Sequence, residues 1–260
     1  MGCSGIVFPQ NKPIFKQTSI SFDVTAPQPL WVRYVKQAES ILEPSETELQ
    51  HEDLLRLNDR LLSLGQLVSG SVGKVSGLLQ TFDPVLIQEI RQTETEINAL
   101  EVEIEAECLK LLALHRPSSF DLRRIVSGIK VNSNLERIGD QVINIAERVE
   151  FLANIDRLIL DHAMNSMSAT SARMVKLSLE AISQQDVSLA ERVREMDREL
   201  NAQNTRSYKT LQEGMEQQPN MVRQAVSYLT ISSNIERIGD LATNIAGQVV
   251  FIVHGKIDRH

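Results

Sequence analysis

Apolar residues recur at helical spacing along most of the chain from about residue 50 onward. The first such segment begins with Leu54, Leu57, Leu61 and Leu64, a pattern that places apolar side chains on one face of a helix. Five further segments show the same period, and short breaks that contain proline, serine or aspartate separate them. The pattern predicts an all-α protein with helices at about 50–81, 84–114, 118–154, 157–183, 186–214 and from 219 onward.

Several of the breaks carry residues that favour the start of a helix. Asp83 precedes Pro84, which combines an N-cap side chain with a proline at the first helical position. Asp186 is expected to cap the fifth helix in the same way. Ser118 and Asp121 form a pair that resembles a capping box before the third helix. These signals support the predicted helix boundaries.

The third and sixth helices contain nearly the same sequence. Residues 131–151 and 231–251 are identical at 12 of 21 positions, and the letters Glu-Arg-Ile-Gly-Asp are unchanged at 136–140 and 236–240. Because charged residues are copied as faithfully as apolar ones, the repeat indicates a surface that is used twice. The chain is therefore predicted to form two tandem pseudo-symmetric three-helix bundles. The expected domains are an N-terminal extension at 1–48, a first repeat at 49–155 and a second repeat at 156–260.

The first 48 residues differ from the rest of the chain. They hold five of the eight prolines, which favours a mostly irregular extension that is partly disordered or docked on the bundles. Alternating residues at 20–24 hint at a short strand, and helical spacing from Trp31 to Leu42 hints at a short amphipathic helix. The role of this extension is not predicted.

Three glycines, Gly70, Gly73 and Gly77, lie close together in the first predicted helix. Each glycine lowers helix stability by about 1 kcal/mol relative to alanine. A close contact with a neighbouring helix would offset this loss, so the spacing predicts such a contact here.

Composition excludes several classes of function. The chain has 260 residues and a formal net charge of −7, which disfavours nucleic acid and favours cations or basic protein surfaces as partners. No apolar run approaches the roughly 20 residues that span a bilayer, so we expect a cytoplasmic protein that reaches a membrane only through its partners. The two cysteines, Cys3 and Cys108, form no CxxC motif and indicate a disulfide-free protein.

Each copy of the repeated motif places two carboxylates on one helix face. Glu136 and Asp140 are four residues apart, and Asn144 follows one turn later. Carboxylates at this spacing repel each other by roughly a few tenths of a kcal/mol, so a cation, an arginine or water is expected against them. The second copy repeats the arrangement with Glu236, Asp240 and Asn244.

The helix before each motif supplies a possible facing set of side chains. Glu94 and Asn98 on the second helix correspond, 103 positions later, to Asp197 and Asn201 on the fifth. If the neighbouring helices are antiparallel, each repeat brings three carboxylates and one amide together. Oxygen ligands of this kind suit hard cations such as Mg²⁺, Ca²⁺ or Mn²⁺ and can also take iron.

A purely structural interpretation is open for the same residues. The acids of the motif can pair with basic residues or with water, and Gly139 and Gly239 can simply allow close helix packing. Arg137 and Arg237 are expected in ion pairs or packing rather than in catalysis.

No catalytic residue is predicted. A di-iron bundle enzyme needs two inward-facing Glu-x-x-His motifs, and the chain has one, from Glu48 to His51 beside the proline-rich extension. No phosphate-binding loop, nucleophile elbow or Ser-His-Asp set is visible. A solvated acidic face is expected for Glu101, Glu103, Glu105 and Glu107.

The tandem sequence Asn-Leu/Ile-Glu-Arg-Ile-Gly-Asp-x-x-x-Asn-Ile-Ala resembles the signature of the PhoU family of phosphate-uptake regulators. Residues 62–65, 107–109 and 255–260 agree with the same family. The resemblance covers about 50–260, and two copies at this separation make it specific. The extension at 1–48 does not resemble the family.

The resemblance implies a PhoU-like fold of two three-helix bundles and a homodimer. It implies a cytoplasmic negative regulator of phosphate transport and of the phosphate regulon. The implied partners are the ATP-binding subunit of the phosphate ABC transporter and the sensor histidine kinase of the regulon.

The resemblance also implies metal ions, divalent or trivalent, without distinguishing Mg, Mn, Fe, Zn or Ca. Carried over to this sequence, the metal ligands are Glu94 with Asn98, Glu136 with Asp140, Asp197 with Asn201, and Glu236 with Asp240, with Asn144 and Asn244 as additional polar ligands. The family usually has aspartate where Asn98 and Asn201 stand. Because asparagine carries no charge and bridges metals poorly, we expect weak binding of one ion per site.

Two alternative functions use the same features. One is the cytosolic regulatory domain of a sodium–phosphate cotransporter, which the absence of a spanning segment disfavours. The other is a carboxylate-bridged metalloprotein of the helical-bundle type, which the missing histidines disfavour.

Overall fold

The structure is a computed structural model that describes residues 51–153, residue 155 and residues 163–256. The described residues form six α-helices and a 3₁₀ turn at Pro219–Met221. The predicted strand at 20–24, the short helix at 31–42 and the first residues of the fourth predicted helix lie outside the described residues. The helices are α1 (His51–Gln80), α2 (Pro84–Leu114), α3 (Ser119–Ala153), α4 (Ala163–Gln184), α5 (Val187–Gln217) and α6 (Val222–His254).

Side-chain caps fix three of the helix starts. The Asp83 carboxylate accepts a hydrogen bond of 2.9 Å from the Val85 backbone nitrogen. Asp186 accepts one of 2.7 Å from Ser188 at the start of α5. Before α3, the Asp121 backbone nitrogen donates to the Ser118 hydroxyl at 3.2 Å. These bonds satisfy backbone donors that lack a partner at a helix start, and they confirm the predicted caps.

The two repeats share one hydrophobic core. Within each repeat the three helices pack against one another, and across the repeats α1 packs on α4 and α3 packs on α6. Buried residues of all six helices form a single apolar cluster. The described residues therefore form one compact unit in which both repeats share a core.

Helices α3 and α6 run antiparallel. Arg123, near the start of α3, donates a hydrogen bond of 3.2 Å to the carbonyl of Ile252 near the end of α6. The Lys130 amino group lies 5.4 Å from the centre of the Phe251 ring. This arrangement places the two copies of the repeated motif side by side in opposite directions.

The prediction for the glycines of α1 is wrong in part. No described residue lies within 4 Å of a Cβ built at Gly70 or Gly73, so these glycines do not mark a close helix contact. Gly65 marks such a close contact, because a Cβ there would lie 2.6 Å from the Leu179 side chain of α4. The close approach of α1 to α4 therefore occurs at Gly65, five residues before the first of the three glycines for which a helix contact was predicted.

Within the described ranges, no helix combines the length and the apolar character that crossing a membrane requires.

Candidate functional site

Glycines bring the helices of each candidate site close together. A Cβ built at Gly139 of α3 would lie 3.3 Å from the buried Ile97 of α2. A Cβ at Gly239 of α6 would lie 2.4 Å from the buried Leu200 of α5. Since each glycine precedes the second acid of its motif, it sets how closely that acid approaches the facing helix. The packing interpretation of these two glycines is therefore correct.

The first cluster joins α2 to α3 through half-buried carboxylates. Burial is the main cause that raises the pKa of Glu136 above its ordinary value, and the charge of Asp140 adds to it. Glu101 and Glu94 raise this pKa further, whereas Arg137 lowers it. Burial followed by the charge of Glu94 likewise raises the pKa of Asp140. Glu94 of α2 thus acts on both acids of the motif, as the predicted facing arrangement requires.

The second cluster repeats this arrangement between α5 and α6. Burial raises the pKa of Glu236, and the charges of Asp240 and Asp197 raise it further. Burial and Asp197 also raise the pKa of Asp240, whose side chain is more exposed than that of Glu236. Arg237 lowers both pKa values by a smaller amount than these effects raise them. Negative charge is therefore only partly compensated in both repeats.

The arginines of the motif do not neutralise the acids fully. Arg137 and Arg237 are exposed on the outer face of their helices. Each lowers the pKa of the adjacent carboxyls, yet the net shift of all four carboxyls is upward. A raised carboxyl pKa means that the charged form is disfavoured. A bound cation would stabilise that charged form.

The two asparagines hydrogen-bond to the acid one turn earlier. The Asn98 amide nitrogen donates to the Glu94 carboxylate. The Asn201 amide nitrogen donates to Asp197 at 3.2 Å, and the Asn201 amide oxygen is buried without a hydrogen-bond partner among the described residues. Asn144 and Asn244 each lie one turn beyond the acid pair of their own motif, and both are exposed.

Glu101 belongs to the first cluster, although the sequence pattern assigned it to a solvated face. The buried Asn132 amide nitrogen donates to the Glu101 backbone carbonyl at 2.8 Å and to its carboxylate at 3.3 Å. Burial and the charge of Glu105 raise the pKa of Glu101. Glu101 lies seven residues, or two helical turns, beyond Glu94. This spacing puts both side chains on one face of α2 and was the signal that could have placed Glu101 beside the predicted ligands.

The prediction of a solvated position is also wrong for Glu107. Arg60 of α1 donates to Glu107 at 2.9 Å and to the more exposed Glu103. The side chain of Glu107 is only 17% exposed. The acidic run of α2 therefore contributes to the α1–α2 contact as well as to the candidate site.

The second repeat has a neutral contact at the position of Glu101. There the Ser232 hydroxyl donates to the Asn204 amide oxygen. Asn204 follows Glu101 by 103 positions and Ser232 follows Asn132 by 100, so the two contacts are equivalent. The first repeat has four interacting carboxylates, and the second has three.

The donor set of each repeat consists of carboxylate and amide oxygens, which are the kind of ligand that hard cations prefer. Among the described residues, no three His, Cys, Asp or Glu side chains are close enough to hold a metal ion as they stand. The carboxylates of the two helices act on one another's pKa values, although their oxygens do not converge on one point. The neutral asparagines remove the bridging charge that several ions would require.

Comparison with known proteins identifies the fold and the repeats. The model of the PhoU domain family matches residues 61–149 and again residues 164–249. A curated phosphate-specific transport system accessory protein PhoU homolog from Xylella fastidiosa is 31% identical over 205 residues, which cover 79% of this chain and 85% of that protein. A protein of the same description from Pseudomonas aeruginosa is 30% identical over 209 residues, which cover 80% and 86%.

Solved structures agree with these sequence matches. The crystal structure of PhoU from Pseudomonas aeruginosa superposes with a TM-score of 0.76 at 29% identity, and covers 79% of this chain and 99% of that one. The phosphate transport system regulatory protein PhoU from Streptococcus pneumoniae gives a TM-score of 0.74 at 27% identity, with 80% and 98% covered. The predicted all-α fold is confirmed, and the chain belongs to the PhoU domain family.

Proposed function

We propose that this protein is a cytoplasmic accessory protein of phosphate-specific transport that regulates phosphate uptake and acts as a non-enzymatic homodimer. The observation that carries the proposal is the double match to the PhoU domain, together with relatives of that description whose length this chain covers to about 85%. The buried core of the bundle is mostly apolar, and no described aspartate or glutamate is buried in it. This arrangement suits a docking protein better than an enzyme with an enclosed active site.

The proposed partners are the ATP-binding subunit of the phosphate transporter and the sensor histidine kinase of the phosphate regulon. The rigid helical bundle offers long exposed helix faces, and the net charge of −7 favours basic surfaces on the partners. Contact with both proteins would link the occupancy of the transporter to the signalling state of the kinase.

We propose that each acidic cluster binds one divalent or trivalent cation. Glu94, Glu136, Asp140 and the Asn98 amide oxygen would hold it in the first repeat, with Glu101 adding charge nearby. In the second repeat the ligands would be Asp197, Glu236, Asp240 and the Asn201 amide oxygen. The cation would neutralise the carboxylates and hold the facing helices together.

Co-purification tests the function. Affinity-tagged protein is expressed in its host, and the recovery of the transporter ATP-binding subunit and of the histidine kinase is measured in phosphate-rich medium. We expect both to be recovered, and we expect deletion of the gene to raise phosphate uptake and regulon expression in the same medium. Failure to recover either partner, with uptake unchanged by the deletion, would refute the proposal.

Matched variants locate the partner surface. Glu136→Gln/Asp140→Asn removes two charges from the first cluster. Glu96→Gln/Glu147→Gln removes two charges from exposed positions of α2 and α3, the helices that form this cluster. Lower recovery in the first variant alone would place a partner at the cluster. Equal recovery in both would assign the partners to another face of the bundle.

A further inference from the structure

An apolar row runs along the outer face of α2, opposite the core. Its residues are separated alternately by three and four positions, which is the spacing of a helix that packs against another helix. Val102 is 64% exposed and Leu109 is 56% exposed, while Ile97 and Ile104 on the opposite side of α2 are fully buried. The outer row of α2 consists of Ala99, Val102, Ala106, Leu109 and Ala113, and all five side chains are exposed.

The fold itself does not require this row. Among the described elements, α2 packs against α1 and α3, and both contacts use its other faces. In the second repeat the equivalent face of α5 is equally exposed but mostly polar. The equivalent residues, 103 positions later, are Ala202, Thr205, Lys209, Gln212 and Glu216. An apolar row in only one of two otherwise similar repeats indicates an additional contact.

We propose that the outer row of α2 binds the same row of a second copy of this chain, in antiparallel orientation. In one antiparallel register Ala106 lies against the partner's Leu109, and Ala113 lies against the partner's Val102. Each large side chain then meets a small one, which is the complementarity that close helix packing needs.

Charge complementarity supports a second copy as the occupant. In the same register Glu103 flanks the row opposite the partner's Lys110, and the two-fold axis repeats the ion pair. Glu103 also accepts from Arg60 but remains 63% exposed, so one side of its carboxylate can face a partner.

The interface would be small. One helix pair buries less than the roughly 800 Å² per partner of a standard interface, so we expect a dimer that dissociates at about micromolar concentrations. The inference specifies the homodimer of the proposed function and does not depend on phosphate regulation, because self-association is measured on the purified protein alone.

Sedimentation equilibrium of the full chain tests the surface. In Val102→Glu/Leu109→Glu we expect the dissociation constant to rise by about tenfold or more. The matched control, Thr205→Glu/Gln212→Glu, adds the same charges to the equivalent face of α5 and should leave the constant unchanged. Thermal unfolding of both variants checks that the fold is retained.

Charge exchange tests the register. Lys110→Glu should weaken the dimer, because it places two acidic residues opposite each other, and Glu103→Lys/Lys110→Glu should restore it. Cross-linking adds a direct readout in a Cys3→Ser background. Cys108 is buried with its pKa raised to about 11, so it does not react in this assay. Mixing Ala106→Cys protein with Leu109→Cys protein should give a disulfide-linked pair.

Three outcomes would overturn the inference. They are a wild-type protein that stays monomeric up to about millimolar concentration, a dimer that Val102→Glu/Leu109→Glu leaves intact, and a double charge exchange that fails to restore a weakened dimer. If the protein is monomeric and Val102→Glu/Leu109→Glu instead abolishes recovery of the transporter subunit or the kinase, the row serves that partner and the second copy is excluded.

Discussion

The two repeats carry the same Glu-Arg-Ile-Gly-Asp motif in different electrostatic surroundings. In the first repeat the buried Asn132 holds Glu101 beside the cluster, and Glu101 raises the pKa of Glu136. In the second repeat Ser232 and Asn204 make the equivalent contact without charge. The motif therefore repeats the principal carboxylates, while residues outside it set the total charge of each cluster.

The difference predicts unequal cation sites. Each additional carboxylate strengthens the attraction for a hard cation and increases repulsion in its absence. The first repeat should therefore bind more tightly and should be the more strained without metal. The following variants test this inequality.

The largest effect is expected from neutralising the motif acids of one repeat at a time. Glu136→Gln/Asp140→Asn should abolish the tighter of two binding events, lowering that affinity by about a hundredfold or more. Glu236→Gln/Asp240→Asn should abolish the weaker event only. Calorimetric titration with Mn²⁺ distinguishes the two, and identical effects of both variants would contradict unequal sites.

A smaller effect is expected from removing the charge that the second repeat lacks. Glu101→Gln keeps the bond from Asn132 to the backbone carbonyl and should lower cation affinity of the first site by about five- to tenfold. The affinities of the two sites should then become similar. Glu105→Gln, an exposed neighbour on α2, is the control and should change affinity less.

The smallest effect concerns stability and pH in the absence of metal. The folded pKa values of Glu136, Asp140, Glu236 and Asp240 are all raised. The folded protein therefore binds more protons than the unfolded chain, and proton binding stabilises the fold. This stabilisation is fully present below the unfolded pKa values of about 4. It is lost as the pH rises through the folded pKa values.

Replacing these four acids with amides should remove this loss of stability at rising pH. With a chelator present, the fourfold amide variant should gain stability relative to wild type between about pH 4 and pH 7, by roughly a few tenths of a kcal/mol per cluster. Urea unfolding at several pH values measures the difference. A wild type that gains stability relative to the variant over this range would contradict the raised pKa values.

Much of the fold could be predicted because its signals are local. The caps at Asp83 and Asp186 and the apolar period of each helix depend on neighbouring residues only, and the structure reproduces them. The facing of Glu94 with Glu136 also followed from helical spacing and the repeat. These features need no knowledge of the long-range packing.

The remaining features depend on contacts between distant segments. Gly70 was expected to contact a helix but faces away from the described core, whereas Gly65 accommodates Leu179 from α4, more than a hundred positions later. Glu107 looked solvated because nothing in its own helix indicates that Arg60 lies opposite. For Glu101 the spacing from Glu94 was a usable signal, but the hydrogen bond from Asn132 of α3 depends on long-range packing.

Metal analysis of the purified protein tests the central claim most directly. The protein is isolated without chelator, desalted, and analysed for bound metal before and after equilibration with Mg²⁺ or Mn²⁺ at known free concentrations. The account predicts little metal after desalting and at most one exchangeable ion per repeat, with the first repeat filling at lower concentration. Several tightly held ions at each site after desalting would contradict the effect assigned to Asn98 and Asn201.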